Sequence, residues 1–237
     1  MRKTTRLVVG FATAVLVWGV GATEPAQALT DTQIKRAQRA LNSLDCNAGQ
    51  ADGVVGPRTR SAVHRFQSAN RLPQGGKLTA KTRNRLYSSK AKRCVGRAVP
   101  KRSGVGRRIV LSQRQNWLWL VGPRGGIIAQ GGLIDNAREL SRGRYFTGSK
   151  CGRAGRIRNN SDYSGNLRLH NFVRFAPCGI GFHQIPKYWS NGKQIHRDFY
   201  LGTNMKRSAG CVRVSRATSY KIWKFTRQRT KVKVVWA

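Results

Sequence analysis

The stretch Ser208-Ala209-Gly210-Cys211-Val212-Arg213 sets a thiol between a small-residue turn and a cation. The five cysteines are Cys46, Cys94, Cys151, Cys178 and Cys211. The first two flank an N-terminal helical segment and the next two sit close together, so two bridges leave Cys211 over. From residue types alone the odd cysteine is a nucleophile, a buried free thiol or half of an intermolecular bridge. Its neighbours favour the nucleophile. A free cysteine is about a few per cent thiolate at neutral pH and needs a base within hydrogen-bond reach. Gly179-Ile180-Gly181-Phe182-His183-Gln184-Ile185-Pro186 supplies that imidazole. Proton transfer to His183 would leave an imidazolium holding the thiolate, and Lys206, Arg207 and Arg213 push the same way. Gly210 allows close backbone approach, so amides around Gly210 and Cys211 can aim at a developing oxyanion.

These residues read as a site with Cys211 as nucleophile and His183 as general base. His196 is a rival base, and His170 reads as structural or exposed. Four scattered histidines and bridged cysteines give no ligand spacing for a metal, and no cofactor is implied.

The elements that must hold this site lie in residues 108–237. Ile109-Val110-Leu111, Trp117–Val121 and Ile127-Ile128-Ala129 are strand-like runs between Gly- and Pro-containing turns. Tyr145-Phe146-Thr147, Leu167-Arg168-Leu169 and Phe172–Phe175 continue the pattern. Residues 217–227 predict a helix, with Tyr220, Trp223 and Lys224 at helical spacing. Val232, Val234 and Trp236 alternate as a final strand. Short strands with turn signals predict a mostly-β, sandwich-like domain with short helices. A Cys151–Cys178 bridge would pin a Gly-, Arg- and Asn-rich loop that walls the site.

Residues 30–88 change to helical period. Thr30 and Gln33 form a capping box, and Ile34, Ala37, Leu41 and Leu44 follow one buried stripe. Gly56-Pro57 sets a second helix with Pro at its first position, burying Ala62, Val63, Phe66 and Ala69. Thr79 begins a third helix carrying Leu86. The repeated Thr59-Arg60 and Thr82-Arg83 point to two related half-units. So small a core is marginal, and a Cys46–Cys94 bridge adds about 4 kcal/mol by loop-entropy arithmetic. His64 reads as a solvated surface histidine. Residues 89–107, basic and rich in Ser and Gly, have linker composition. The chain is thus multidomain.

Residues 1–28 have the form of a secretory signal peptide. Arg2, Lys3 and Arg6 precede an apolar run over 7–22, and Ala26-Gln27-Ala28 fits signal peptidase. The alternative is an uncleaved anchor; otherwise no segment is long enough to span a bilayer. Export suits persistent disulfides. The chain carries 46 Lys+Arg against 8 Asp+Glu, a formal +38. Such a field points to a polyanionic partner, or serves solubility alone. For a secreted protein the cell wall, with its carboxylate-bearing peptides and anionic polymers, is the nearer polyanion. The cations are spread along the chain without a stacking series of aromatics, which argues against a specific nucleic-acid platform.

Two resemblances sharpen this reading. Ile34-x-x-x-Gln38-x-x-Leu41, Asp52–Pro57 with Thr59, Ala62-Val63-x-x-Phe66-Gln67, Leu72, Thr82 and Leu86 resemble the peptidoglycan-binding domain-1 family. That implies a noncatalytic module holding the protein on its polymer. Gly181-Phe182-His183-x-x-Pro186, Leu201-Gly202 and Ser208–Arg213 resemble the L,D-transpeptidase catalytic domain (YkuD-like) family. The resemblance implies that Cys211 attacks the carbonyl of the third residue of a peptidoglycan tetrapeptide stem, expelling the terminal D-alanine, with His183 as base and Ser208, Gly210 and Arg213 at the motif positions that shape the site. Transfer to an amine on a neighbouring stem then gives a 3–3 cross-link between glycan strands. Water as acceptor would instead make an L,D-carboxypeptidase. This chain departs from the family pattern at Ala209, where histidine is usual, so a wall-binding protein with a degenerate catalytic domain is the third reading. Residues 188–199 form an apparent insertion between His183 and Cys211, and Leu140–Gly143 replaces a Thr-Pro-x-Gly turn.

Overall fold

The computed structural model describes residues 28–237; the expected signal segment lies outside them, apart from its last residue. The N-terminal module has three helices, α1 (Asp31–Ser43), α2 (Pro57–Ala69) and α3 (Ala80–Leu86). Thr30 caps α1 with the full capping box and Thr79 caps α3, while Pro57 opens α2. Ala37, Leu41, Ala62, Val63, Phe66, Leu78 and Leu86 close one core, stapled by the Cys46–Cys94 disulfide.

The half-units visible in the sequence are repeated in hydrogen bonds. Gln38 donates to Thr59 Oγ1 (3.1 Å) and accepts from the Gly53 amide (3.0 Å). Gln67 donates to Thr82 Oγ1 (3.0 Å) and accepts from the Gly76 amide (2.9 Å). A buried amide needs partners on both its ends, and each glutamine finds them in a glycine turn and the next helix. Gln38, Gly53 and Thr59 therefore build the fold.

The second domain is one mixed sheet, in the order β4-β10-β1-β2-β3-β9-β7-β6-β5. Its strands are β1 (Arg108–Ser112), β2 (Trp117–Val121), β3 (Ile127–Ile134), β4 (Gly143–Phe146) and β5 (Arg156–Ser161). They continue as β6 (Leu167–Arg174), β7 (Gly181–Gln184), β8 (Lys187–Tyr188), β9 (Val212–Val214) and β10 (Lys231–Val235), with β8 paired to β6. The helix α4 (Arg216–Phe225) follows β9. Ile109, Leu111, Leu118 and Leu120 from one wing pack with Val173, Phe182, Val212 and Val214 from the other, together with Ile222 and Phe225 of α4. That is the sandwich-like core the alternation predicts. β6 joins two runs read separately, crossing Asn171 at φ 54°, a conformation asparagine tolerates. Among the described residues no helix is long and apolar enough to cross a membrane.

Residues 89–107 carry no helix or strand but are held in place. Arg97 is buried between the modules, bonding Cys94 O, Ser68 Oγ and Gln115 O. Arg65 of α2 donates to Cys46 O and Asn47 O on its own module and to Phe199 O and Leu201 O across the boundary. This docking explains why Ser61–Ser68 are buried on every face of α2. His64 is among them, 7% exposed and packed on Gly76, so the sequence reading of a solvated histidine is corrected.

Candidate active site

Strand alternation builds the site. Phe182 of β7 and Val212 and Val214 of β9 point into the core. Side chains on the pleat alternate in direction, so His183, Cys211 and Arg213 turn to the other side. β7 and β9 pair in parallel with Phe182 opposite Val212 and His183 opposite Arg213. The thiol and the imidazole thereby line the same cavity, about 530 Å³ in volume, with Ser208, Ala209 and Arg213. All five sequence-predicted site residues sit in this region, with Gly210 in the turn behind. Close packing is enforced at Gly181, where a Cβ would lie 2.7 Å from both Phe172 Cζ and Val173 O.

His183 is 2% exposed, and its ring stacks near Phe172 at a centroid distance of 6.2 Å. Its Nδ1 lies 2.6 Å from Gln184 O. A carbonyl only accepts, so Nδ1 carries the proton and Nε2 keeps the lone pair. Burial lowers its pKa to about 4, opposed by that hydrogen bond. The Cys211 thiol donates to Gly179 O at 3.5 Å. Burial pushes its pKa up, against the Gly181 amide and the charges of Arg174 and Arg213. Both shifts favour uncharged partners. Desolvation of both groups thus opposes the thiolate–imidazolium pair that the residue types predict.

Arg174 joins Arg213 as a cation whose charge acts on Cys211. Arg174, 3% exposed in β6, was missed; a charged residue inside the apolar run Phe172–Phe175 was its signal. The Gly210 amide donates to Ser208 Oγ at 3.1 Å, so it is engaged within the turn, and Gly181 N–H is the amide directed at the sulfur. Gly210 holds φ at 125°, which a side chain would strain. Ser208 is anchored in turn: its carbonyl accepts from Asn136 Nδ2 at 3.0 Å.

His196 is buried, with Nδ1 3.1 Å from Arg197 O and its ring edge-on to Tyr200. It does not line the Cys211 cavity. His170 is half-buried on a separate surface with Asn171 and Arg216. Cys211 is free, whereas Cys151 is disulfide-bonded. The Cys178 side chain lies outside the described residues, and the expected Cys151–Cys178 pairing with it. Among the described residues no group of three His, Cys, Asp or Glu could hold a metal.

The chain matches the peptidoglycan binding domain model over residues 30–86 and the L,D-transpeptidase catalytic domain model over 106–234. No curated protein is similar to it at a significant level. Among solved structures it is similar to an L,D-transpeptidase fragment from Xylanimonas cellulosilytica, at 21% identity and a TM-score of 0.45, covering 89% of this chain and 97% of that one. An L,D-transpeptidase from Stackebrandtia nassauensis gives 19% identity and a TM-score of 0.42, covering 85% and 89%. A fused Zn-dependent amidase/peptidase/peptidoglycan-binding domain-containing protein from Clostridium acetobutylicum gives 16% and 0.40, covering 87% and 96%. With more than half its length matched by the catalytic-domain model, this chain belongs to the L,D-transpeptidase family, and a peptidoglycan-binding domain precedes the catalytic one.

Proposed function

We propose that the protein is an exported peptidoglycan L,D-transpeptidase working through a Cys211 acyl-enzyme. The observation that supports this most directly is the shared cavity of Cys211 and His183, with His183 Nδ1 tied to Gln184 O and Nε2 left to act as base. In this reading the thiol proton moves to His183 Nε2 as Sγ attacks the carbonyl carbon of the third stem residue. Gly181 N–H and the charges of Arg174 and Arg213 stabilise the negative charge as it forms. The C–N bond then breaks, and the imidazolium returns its proton to the departing D-alanine amine. An amine on a second stem attacks the thioester, loses its proton to His183, and frees the thiol with a 3–3 cross-link made.

Ser208 and Gly210 hold the turn that presents the sulfur, and the N-terminal module keeps the enzyme on stem peptides and glycan strands. Its positive charge adds attraction to anionic wall polymers. Incubating the protein with purified tetrapeptide stems and weighing the products tests this. A cross-linked dimer lacking one D-alanine supports transfer, and a tripeptide alone supports the carboxypeptidase reading. No change in mass supports a degenerate, wall-binding domain, the reading that Ala209 and the engaged Gly210 amide favour.

A further inference from the structure

A second cavity, about 840 Å³, opens between the helical module and the sheet domain. The segment 203–209 divides it from the Cys211 cavity: Thr203, Asn204, Lys206 and Arg207 face the interdomain space, while Ser208 and Ala209 face the thiol. Arg71 and Lys81 reach it from the helical module, and Arg114, Arg138, Lys206 and Arg207 from the sheet domain. Among the described residues the one ion pair is Arg93–Asp45, which is not part of this wall. None of the six cations is therefore matched by a carboxylate. Among the described residues the only carboxyl side chain lining the space is Asp135, whose buried Oδ2 lacks a hydrogen-bond partner and whose pKa burial raises to about 6. Uncompensated cations around a concave wall focus a positive potential there.

The rest of the lining is unlike a plain charge patch. The amides of Gln74, Asn116 and Asn136 are spent within the wall, on Arg114 O, Gln74 Oε1 and Ser208 O, which leaves Asn204 among the cations, and Trp236 stands 56% exposed. A side-chain amide both donates to and accepts from hydroxyl groups, and an open indole face packs against the C–H face of a sugar ring. We propose that this interdomain cavity binds an acidic saccharide chain, its carboxylate or phosphodiester groups held by Arg71, Lys81, Arg138 and Arg207 and one ring stacked on Trp236. The wall is continuous with the catalytic turn, since Asn136 Nδ2 donates to Ser208 O and Ser208 N to Asp135 O (3.5 Å). A strand held here lies beside the loop that carries Cys211. That link to the wall rests on the proposed enzymatic reading; saccharide binding itself does not.

Calorimetric titration of the disulfide-bonded protein in 0.3 M salt, where exposed charges beyond roughly 6 Å are screened, tests the site with four probes. These are tetragalacturonate, a glycerol-phosphate–glucose oligomer, neutral chitotetraose and tetraglutamate. We expect one of the acidic saccharides to bind at least about tenfold more tightly than chitotetraose and tetraglutamate; the tighter one identifies carboxylate or phosphodiester as the source. Arg71→Gln with Lys81→Gln weakens it by on the order of tenfold, as does Trp236→Ala, and Arg138→Gln weakens it from the opposite wall. Arg124→Gln, at the far end of β2, leaves it unchanged. Equal affinity for tetraglutamate, or an Arg124→Gln effect as large as that of the Arg71/Lys81 pair, overturns the proposal. Acylation of Cys211 is measured in parallel: intact acylation without saccharide preference removes the cavity alone, and the reverse removes the enzymatic reading alone.

Discussion

His183 donates its Nδ1 proton to the carbonyl oxygen of Gln184, its own neighbour in β7, at 2.6 Å. No carboxylate is needed to orient the ring, because the strand's own backbone does so. With Ala209 where the family has histidine, the proposed mechanism asks this imidazole alone to take the thiol proton and return it to the leaving amine. General acid–base catalysis contributes on the order of a hundredfold or more. His183→Ala should lose at least that in single-turnover acylation while circular dichroism and wall binding stay intact. His196→Ala, outside the Cys211 cavity, should lose far less. The reverse ranking would transfer the base role to His196.

The pH profile follows from the same burial. His183 titrates at about 4 against an ordinary 6.5, so acylation should hold its rate down through pH 6 and fall with an acid midpoint near 4. A midpoint near 6.5 would mean that the ring is solvated. For stability the sign runs the same way, since a depressed pKa means the unfolded chain takes up a proton first. The His183 contribution is complete above 6.5 and is lost as pH falls toward 4. Asp135 acts oppositely: raised from 3.8 to about 6, it contributes below 3.8 and loses that contribution as pH rises through 6. Asp135→Asn should therefore raise stability at pH 7 relative to pH 4, read by urea unfolding at both values.

Cys211 is half-buried and free. Alkylation of the folded protein without reductant, followed by peptide mass mapping, should modify Cys211 and leave Cys46, Cys94, Cys151 and Cys178 untouched. Because burial raises the thiol pKa, labelling should be slow at neutral pH and rise on the alkaline side. A carbapenem, which presents a strained acyl group to the same sulfur, should add its full mass at Cys211 only when His183 is present. Unchanged mass in the unaltered protein would favour the degenerate reading.

The sequence made some of this visible and hid the rest for physical reasons. The capping box at Thr30, Pro57 at the start of α2 and the alternation of Val232 and Val234 are local signals, and each stands in the structure where expected. β5, Arg-Ile-Arg-Asn-Asn-Ser, has no apolar alternation because its partner β6 and the cavity supply its environment; only pairing reveals it. β9 has three residues, too few for a period. Cys211 and His183 were legible as chemistry, whereas the burial that opposes their charging was not, because it depends on Phe172 and the rest of the wall. His64 and Arg65 likewise look like surface residues in a polar helix until the second domain covers them.

Arg65 carries the last prediction. Its guanidinium, 7% exposed, donates to carbonyls of Cys46 and Asn47 beside the disulfide and of Phe199 and Leu201 in the other domain. Burial lowers its pKa only to about 10, so it stays charged at neutral pH. Hydrogen bonds to charged groups contribute roughly 1.5–3 kcal/mol net, and they are not additive. Arg65→Met keeps the length and packing of the stem but leaves those oxygens without donors, so it should destabilise the protein by about 2–4 kcal/mol. Arg65→Lys should recover little, because a point charge cannot fork between carbonyls on two elements. Proteolysis within residues 188–204 should quicken in both variants, since that segment is clamped to α2 through this side chain. A urea midpoint unchanged in Arg65→Met would show that the modules are held together elsewhere, with Arg97 and Ser68 as the remaining bridge.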